Sequence, residues 1–134
     1  MPDMRTILTP LIAAFALFAA PALAETWPSQ DGEVTLKDFT FGSGEKLPEV
    51  RMHYTTLGTP HRNAKGEIDN AAMVLHGTGG SGKQFLQPQF ADELYGPGQP
   101  FDITKYYVIL PDNIGHGGSS KPSDGMRMAF PKYD

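Results

Sequence analysis

The chain has 134 residues, enough for one ordinary domain with its own core. Its formal net charge of −4 disfavours a nucleic-acid partner, for which a basic patch is the usual signal. Because the chain has no cysteine, a disulfide framework is excluded and stability must come from buried apolar side chains.

The first 24 residues have the pattern of an export signal. Arg5 supplies a positive charge, residues 7–20 form an apolar stretch, and Ala22-Leu23-Ala24 is a small-x-small cleavage site. The alternative is a membrane anchor, since the apolar stretch approaches the minimum length of a transmembrane helix. Two prolines and the Ala-x-Ala ending favour cleavage. The sequence therefore predicts a signal peptide over 1–24 and an exported, periplasmic or secreted part over 25–134, with no membrane association after cleavage.

Four segments are predicted as strands, at 34–41, 50–57, 71–75 and 106–110. The last two are uninterrupted apolar runs, which are typical of strands covered on both faces. Between them, residues 85–95 predict a helix that begins near Pro88, with Phe90 and Leu94 on one buried face. Two antiparallel strands followed by a strand–helix–strand crossover predict a mixed sheet of the α/β class, with about four strands and one clear crossover helix.

A glycine-rich turn, His-Gly-Thr-Gly-Gly-Ser-Gly-Lys over residues 76–83, follows the third strand. Its glycines permit a sharp bend and leave backbone N–H groups uncovered, which suits a bound anion or a developing oxyanion. Three interpretations stay open. Gly77, Gly82 and Lys83 fit a phosphate loop, G-x-x-x-x-G-K-[ST], but Gln84 stands where that motif needs a hydroxyl. The second interpretation is an oxyanion loop, and the third is a flexible turn without a chemical role.

A second glycine-rich loop, Asp112-Asn113-Ile114-Gly115-His116-Gly117-Gly118-Ser119-Ser120-Lys121-Pro122, follows the fourth strand. It resembles the D-x-x-G-x-G-x-S-x-x-P loop of α/β-hydrolases, and His76-Gly77 resembles that family's marker after the third strand. Both loops follow the carboxyl ends of strands, where open α/β sheets place their ligands. The resemblance covers most of residues 34–122 and implies the N-terminal part of an α/β-hydrolase sheet.

Further residues give a closer resemblance, to the N-terminal part of homoserine O-acetyltransferases: Gly44-Glu45-Lys46-Leu47-Pro48-Glu49-Val50, Tyr54, Gly58-Thr59, Asn63-Ala64 and Asp69-Asn70-Ala71. The chain departs from those transferases after His76, where it has Gly-Thr-Gly-Gly instead of Ala-Leu-Thr-Gly. The resemblance therefore implies a hydrolase related to the acetyltransferase branch, and both hydrolysis and acyl transfer stay open.

What the resemblance implies is serine-nucleophile acyl transfer on a small-molecule ester or acyl substrate, without a cofactor. One oxyanion donor in this family is a backbone N–H of the loop after the third strand. By position it is Thr78, with Gly79 next. Gly77, Gly115 and Ser119 are predicted to shape the substrate pocket. The histidines do not have the spacing of a metal site.

The catalytic triad itself cannot be placed on this chain. Its order is serine, acid, histidine, and no Gly-x-Ser-x-Gly elbow occurs in the sequence. We assign His76 and His116 to the loop motifs rather than to a catalytic base, and His53 and His61 to a strand and a solvated loop. Asp112 is predicted to tie its loop to nearby N–H groups rather than to serve as the triad acid.

We therefore expect a truncated chain that is neither stable nor active alone, because four strands leave an uncovered sheet edge. Two other classes remain as alternatives. One is a nucleotide-binding protein that uses Lys83, and the other is a non-catalytic module that keeps the hydrolase frame.

Overall fold

The structure is a computed structural model that describes residues 27–133. The predicted signal peptide lies outside these residues. The described part contains the strands β1 (Ser29–Thr40), β2 (Lys46–Leu57), β3 (Ala71–Met73) and β4 (Tyr107–Pro111). Its helical segments are the 3-10 turns Gly82–Leu86, Pro122–Asp124 and Arg127–Ala129 and the α-helix α1 (Pro88–Leu94). Within residues 27–133, no helix combines the length and the apolar character that spanning a bilayer requires.

The four strands form one mixed sheet in the order β1-β2-β4-β3. β2 pairs antiparallel with both β1 and β4, whereas β3 pairs parallel with β4 across the crossover. The predicted α/β sheet and crossover are therefore confirmed. β1 and β2 are longer than predicted because they form one hairpin, paired from Ser29 with Leu57 to Thr40 with Lys46. Backbone hydrogen bonds extend the hairpin through polar residues, where the sequence no longer shows the β-branched and aromatic residues that indicate a strand.

β3 contradicts the prediction of a strand covered on both faces. It spans only three residues, and both Met73 and Leu75 are 61% exposed. The cause is its position, since β3 is the edge strand of the described sheet and pairs only with β4 there. An apolar run indicates a strand that can be buried, and the sheet order decides whether it is.

The crossover begins with the 3-10 turn and continues as α1. Pro88 stands at the start of α1, where its missing N–H costs nothing, which confirms the predicted start. The predicted buried face is wrong for Phe90, which is 38% exposed. Ala91 and Tyr95 are buried instead. The core-facing side of α1 runs through Ala91, Leu94 and Tyr95, at i, i+3 and i+4, so Leu94 packs against the core as predicted and Phe90 falls at the edge of this side.

The main core lies between α1 and the centre of the sheet. It consists of Leu57, Val108 and Leu110 from β2 and β4, with Ala91 and Tyr95 from the helix side. Trp27 packs edge-on against Tyr95, with ring centroids 5.8 Å apart. Burial raises the pKa of Tyr95 to about 12. A smaller cluster of Phe41, Leu47 and Val50 lies at the far end of the hairpin.

Leu110 tests how far this core stabilises the fold. It is fully buried, so Leu110→Ala leaves a cavity and should lower the free energy of unfolding by about 2–5 kcal/mol. The matched control is Leu36→Ala on β1, where the side chain is 38% exposed and the loss should stay below about 1 kcal/mol. Urea-induced unfolding measures both. Equal losses would mean that Leu110 does not lie in the principal core.

Candidate active site

The two glycine-rich loops lie side by side. The first loop (residues 76–82) and the second loop (residues 112–122) follow β3 and β4, which are parallel neighbours. Four hydrogen bonds join the loops, one of them from Asn113 Nδ2 to the His76 carbonyl at 3.4 Å. The Gly82 N–H donates to Asp112 Oδ1 at 2.7 Å, the Asn113 N–H to His76 Nε2 at 3.0 Å, and the Gly79 N–H to His116 Nε2 at 3.3 Å. The predicted convergence of the loops at one edge is confirmed.

Asp112 is the centre of the junction. Its side chain is only 4% exposed, and its carboxylate accepts hydrogen bonds from Gly82 N–H, Gly118 N–H (2.8 Å) and His53 Nδ1 (2.9 Å). Burial alone would raise the pKa of Asp112 and is the largest single effect. The three hydrogen bonds together outweigh it and hold the pKa below its ordinary value of 3.8. The prediction that Asp112 ties its loop to N–H groups is confirmed.

His53 has a role that the sequence did not show. It lies on β2, and its Nδ1 donates to Asp112 while its Nε2 is 3.9 Å from Asp31 Oδ1. Its partner Asp112 is 59 residues away in the chain. The only sequence signal is the strand alternation, which places Arg51, His53, Thr55 and Leu57 on one face of the second strand.

Lys83 forms an ion pair with Asp31 on β1. Its Nζ lies 2.7 Å from Asp31 Oδ2, and Asp31 also accepts from Thr55 Oγ1 at 2.8 Å. The hydrogen bond from Lys83, followed by that from Thr55, lowers the pKa of Asp31. The phosphate-loop interpretation is disfavoured by Gln84, which lacks the hydroxyl of that motif, and by the segment that follows, which is a 3-10 turn rather than an α-helix.

His76 and His116 are bound within the loops. His76 is buried, and its tautomer is assigned by its partners: Nδ1–H donates to the Gly77 carbonyl at 2.8 Å and Nε2 accepts from Asn113. In His116, Nδ1–H donates to the Ile114 carbonyl at 3.3 Å and Nε2 accepts from Gly79. Both ring nitrogens of each residue are thus hydrogen-bonded within the loops, in agreement with the assignment of these histidines to the loop motifs.

The predicted oxyanion donors, Thr78 and Gly79, lie at the exposed tip of the first loop. The turn is closed by a hydrogen bond from Gly80 N–H to the Gly77 carbonyl at 3.1 Å, and Gly79 adopts a φ of +79°. Gly79 N–H is held by His116, whereas Thr78 N–H has no acceptor within residues 27–133. Beside the tip is an open depression of about 440 Å³, lined by Gly79, Gly80, Ser81, Lys83, Gln84 and Gln87.

The three predicted pocket residues differ in position. Gly77 is exposed beside Thr78. Gly115, with a φ of +89°, packs against Tyr133. Ser119 has no exposed surface, because its hydroxyl donates to the Asp112 carbonyl at 2.6 Å and accepts from His53 N–H at 2.9 Å. Ser119 thus supports the loop from inside and does not face an open pocket in this structure, contrary to the prediction.

Metal ligation finds no support in the part of the chain that the structure describes. No group of three or more histidine, aspartate or glutamate side chains is arranged there to hold a metal ion.

Solved structures share this architecture. The acetyl esterase MekB matches 71% of this chain and 25% of its own, with a TM-score of 0.57 and 24% identity. Homoserine O-acetyltransferase from Bacillus anthracis matches 64% of this chain and 24% of its own, with a TM-score of 0.51 and 28% identity. The chain has an α/β-hydrolase fold.

Sequence relatives of this α/β-hydrolase chain include acyltransferases. A probable acyltransferase of Methanothermobacter thermautotrophicus is 33% identical over 99 residues, which cover 73% of this chain and 30% of the relative. A homoserine O-acetyltransferase of Carboxydothermus hydrogenoformans is 34% identical over 90 residues, covering 62% of this chain and 23% of the relative. The chain thus spans less than a third of the length of either relative. No family model matches it.

Asp112→Asn tests the carboxylate at the loop junction. An amide cannot accept equally at both positions, so the free energy of unfolding at pH 7 should fall by about 1.5–3 kcal/mol. The control is Asp38→Asn, an exposed β1 residue with a φ of +51° that asparagine tolerates, which should change it by less than about 0.5 kcal/mol.

The same pair predicts a pH dependence. Because folding lowers the pKa of Asp112, its stabilising contribution is present above the unfolded value, 3.8, and is lost as the pH falls through the folded value. The stability difference between wild type and Asp112→Asn should therefore shrink below about pH 4. Urea unfolding at pH 7, 5 and 3 measures it. A difference that stays constant over this range would contradict ionisation of Asp112 as the cause.

Proposed function

We propose that the chain is part of an α/β-hydrolase that carries out serine-dependent acyl transfer on small esters, as an esterase or an acyltransferase. This chain supplies the oxyanion loop, and the nucleophile with its histidine and acid is supplied by other residues of that enzyme. One observation carries the proposal. The unpaired Thr78 N–H stands at the tip of a turn fixed at both ends, beside an open depression.

The chemistry follows from that position. When a serine attacks an ester carbonyl, negative charge develops on the carbonyl oxygen. A backbone N–H held in place beforehand stabilises that charge without having to reorganise during the reaction. The first loop meets this requirement because Gly82 and His76 hold its two ends to the second loop. A mobile turn would have to be ordered during the reaction and would therefore stabilise the developing charge less.

The names of the similar proteins support a short acyl group. An acetyl esterase and a homoserine O-acetyltransferase both handle an acetyl group, one on an ester and the other in transfer. In the first case water accepts the acyl group, in the second a hydroxyl compound does. We propose an acetyl or similarly small acyl substrate. The choice of acceptor rests on residues outside the described loops.

Thr78→Pro tests the donor directly, in the protein produced from the source gene at its natural length. Proline removes the N–H, and the preceding Gly77 tolerates the restriction that proline imposes. We expect kcat for p-nitrophenyl acetate to fall by about 100- to 1,000-fold. Thr78→Ala keeps the N–H and should stay within a few-fold of wild type.

Two results would count against the proposal. Equal turnover by wild type and Thr78→Pro would remove Thr78 as a donor. A source gene that encodes no Gly-x-Ser-x-Gly segment downstream of Asp134 would favour the non-catalytic module instead. The DNA sequence and the kinetics are independent measurements.

Export is a further part of the proposal, on the pattern of residues 1–24. Expressed with its own N-terminus in a Gram-negative host, the protein should be recovered from the periplasm. N-terminal sequencing should then begin at Glu25. Recovery of an uncleaved chain in the membrane fraction would show an anchor instead.

A further inference from the structure

His116 accepts a hydrogen bond from one of the two proposed oxyanion donors. The distance from Gly79 N to His116 Nε2 is 3.3 Å, and Thr78 N–H beside it has no acceptor within residues 27–133. We propose that His116 is a positioning residue that withholds the Gly79 N–H while its ring is neutral and releases it when Nε2 takes up a proton. The inference rests on the proposed function only in naming Gly79 an oxyanion donor.

Two contacts orient the His116 ring, one with the Ile114 carbonyl and one with His76. Its Nδ1–H donates to the Ile114 carbonyl at 3.3 Å, so Nε2 is the acceptor nitrogen. The edge of the ring meets His76, with centroids 5.1 Å apart. His76 is itself held at both nitrogens and cannot follow a movement of its neighbour. The Nε2 lone pair therefore points at the first loop because backbone groups place it there.

Protonation reverses the contact. A neutral imidazole has one nitrogen that accepts, whereas an imidazolium carries N–H on both nitrogens. With a proton from solvent on Nε2, two N–H groups face each other and the Gly79 N–H must turn away. It then becomes available on the same exposed turn as the Thr78 N–H. The one bond formed is Nε2–H, and the one broken is an O–H bond of the hydronium ion that delivers the proton.

Two titratable groups face the His116 ring, His76 from the first loop and Tyr133 from the C-terminal segment. Tyr133 lines a depression of about 430 Å³ together with Met52, Asn113, Ile114 and His116. Within residues 27–133, no carboxylate or ammonium group forms an ion pair or hydrogen bond with the ring. The nearest buried carboxylate, Asp112, is occupied by Gly82, Gly118 and His53.

The experiment uses NMR on the natural-length protein labelled with ¹⁵N in glycine and histidine only. A coupling between two ¹⁵N nuclei across an N–H···N hydrogen bond identifies donor and acceptor directly. We expect one between Gly79 N and His116 Nε2 at pH 8, and its loss when the His116 ring signals show protonation. Thr78-Gly79 is the only Thr-Gly pair in the sequence, so ¹³C-carbonyl threonine identifies the Gly79 signal within this chain.

Hydrogen exchange gives the second readout. The protection factor of the Gly79 amide, corrected for the intrinsic pH dependence of exchange, should fall about tenfold on protonation of His116, the effect of one ordinary hydrogen bond. The Gly82 and Gly118 amides donate to Asp112 and are the internal controls. They should keep their protection, because the pKa of Asp112 lies below 3.8.

Two variants separate a positioning role from a structural one. His116→Phe keeps an aromatic edge against His76 but has no acceptor, so Gly79 protection should be low at every pH. His116→Gln restores an acceptor oxygen at similar reach, so protection should return and no longer depend on pH.

Absence of the coupling in the wild type, or unchanged Gly79 protection in His116→Phe, would overturn the proposal. If His116→Phe also loses protection at Gly82 and Gly118, it has unfolded, and the wild-type titration decides. None of these measurements involves ester turnover, so a failure here is distinct from failure of the acyl-transfer proposal.

Discussion

A buried carboxylate holds the two loops against each other. Removing a charge from water is costly, and Asp112 is tolerated because three donors surround it. The donors come from three separate parts of the chain: His53 on β2, Gly82 at the end of the first loop, and Gly118 in the second. Separating the loops would remove the Gly82 N–H from the carboxylate and leave it with His53 and Gly118 alone. The position of the first loop is thus set by an electrostatic requirement at its base rather than by contacts at its exposed tip.

Two glycines make this close approach possible. A Cβ on Gly82 would lie 2.3 Å from the Leu110 carbonyl oxygen, and a Cβ on Gly118 would lie 2.7 Å from His53 Cγ. Both contacts are shorter than real Cβ atoms allow, and at Gly82 the obstacle is backbone. These glycines therefore serve to bring backbone N–H groups onto Asp112. Glycines in a motif are often explained by backbone flexibility, but Gly82 and Gly118 are required because a side chain at either position would clash with its neighbour.

The predictions that succeeded are those for which the signal is local. Short stretches of sequence were enough to predict the strand–loop–helix order and the start of α1 at Pro88. The same holds for the loop spacing from Asp112 to Ser119. Predictions of burial that depend on the assembled core failed in part. The burial of β3 depended on its place at the edge of the described sheet, and that of Phe90 depended on which side of α1 faces the core. The contact between His53 and Asp112 spans 59 residues, and no local pattern encodes it.

Ser119 shows why motif membership does not establish contact with substrate. The serine has a fixed place in the D-x-x-G-x-G-x-S spacing, which predicted a position on a pocket wall. Its hydroxyl instead bridges the carbonyl of Asp112 and the N–H of His53, and thereby joins the second loop to β2. A buried hydroxyl with both roles satisfied is what a tight turn beside a strand requires. The spacing is explained by folding before any substrate is considered.

The acceptors of the backbone N–H groups in the first loop bear on its three interpretations, which are a phosphate loop, an oxyanion loop and a flexible turn. Gly82 donates to Asp112, Gly80 to the Gly77 carbonyl and Gly79 to His116. A turn that served only as a flexible connection would not need its donors fixed on both sides of the tip. A phosphate loop would need a hydroxyl after its lysine, but Gln84 stands at that position. The first loop is held to the second on both sides of its tip, and the Thr78 N–H at that tip has no acceptor within residues 27–133, which is the arrangement that the acyl-transfer proposal requires.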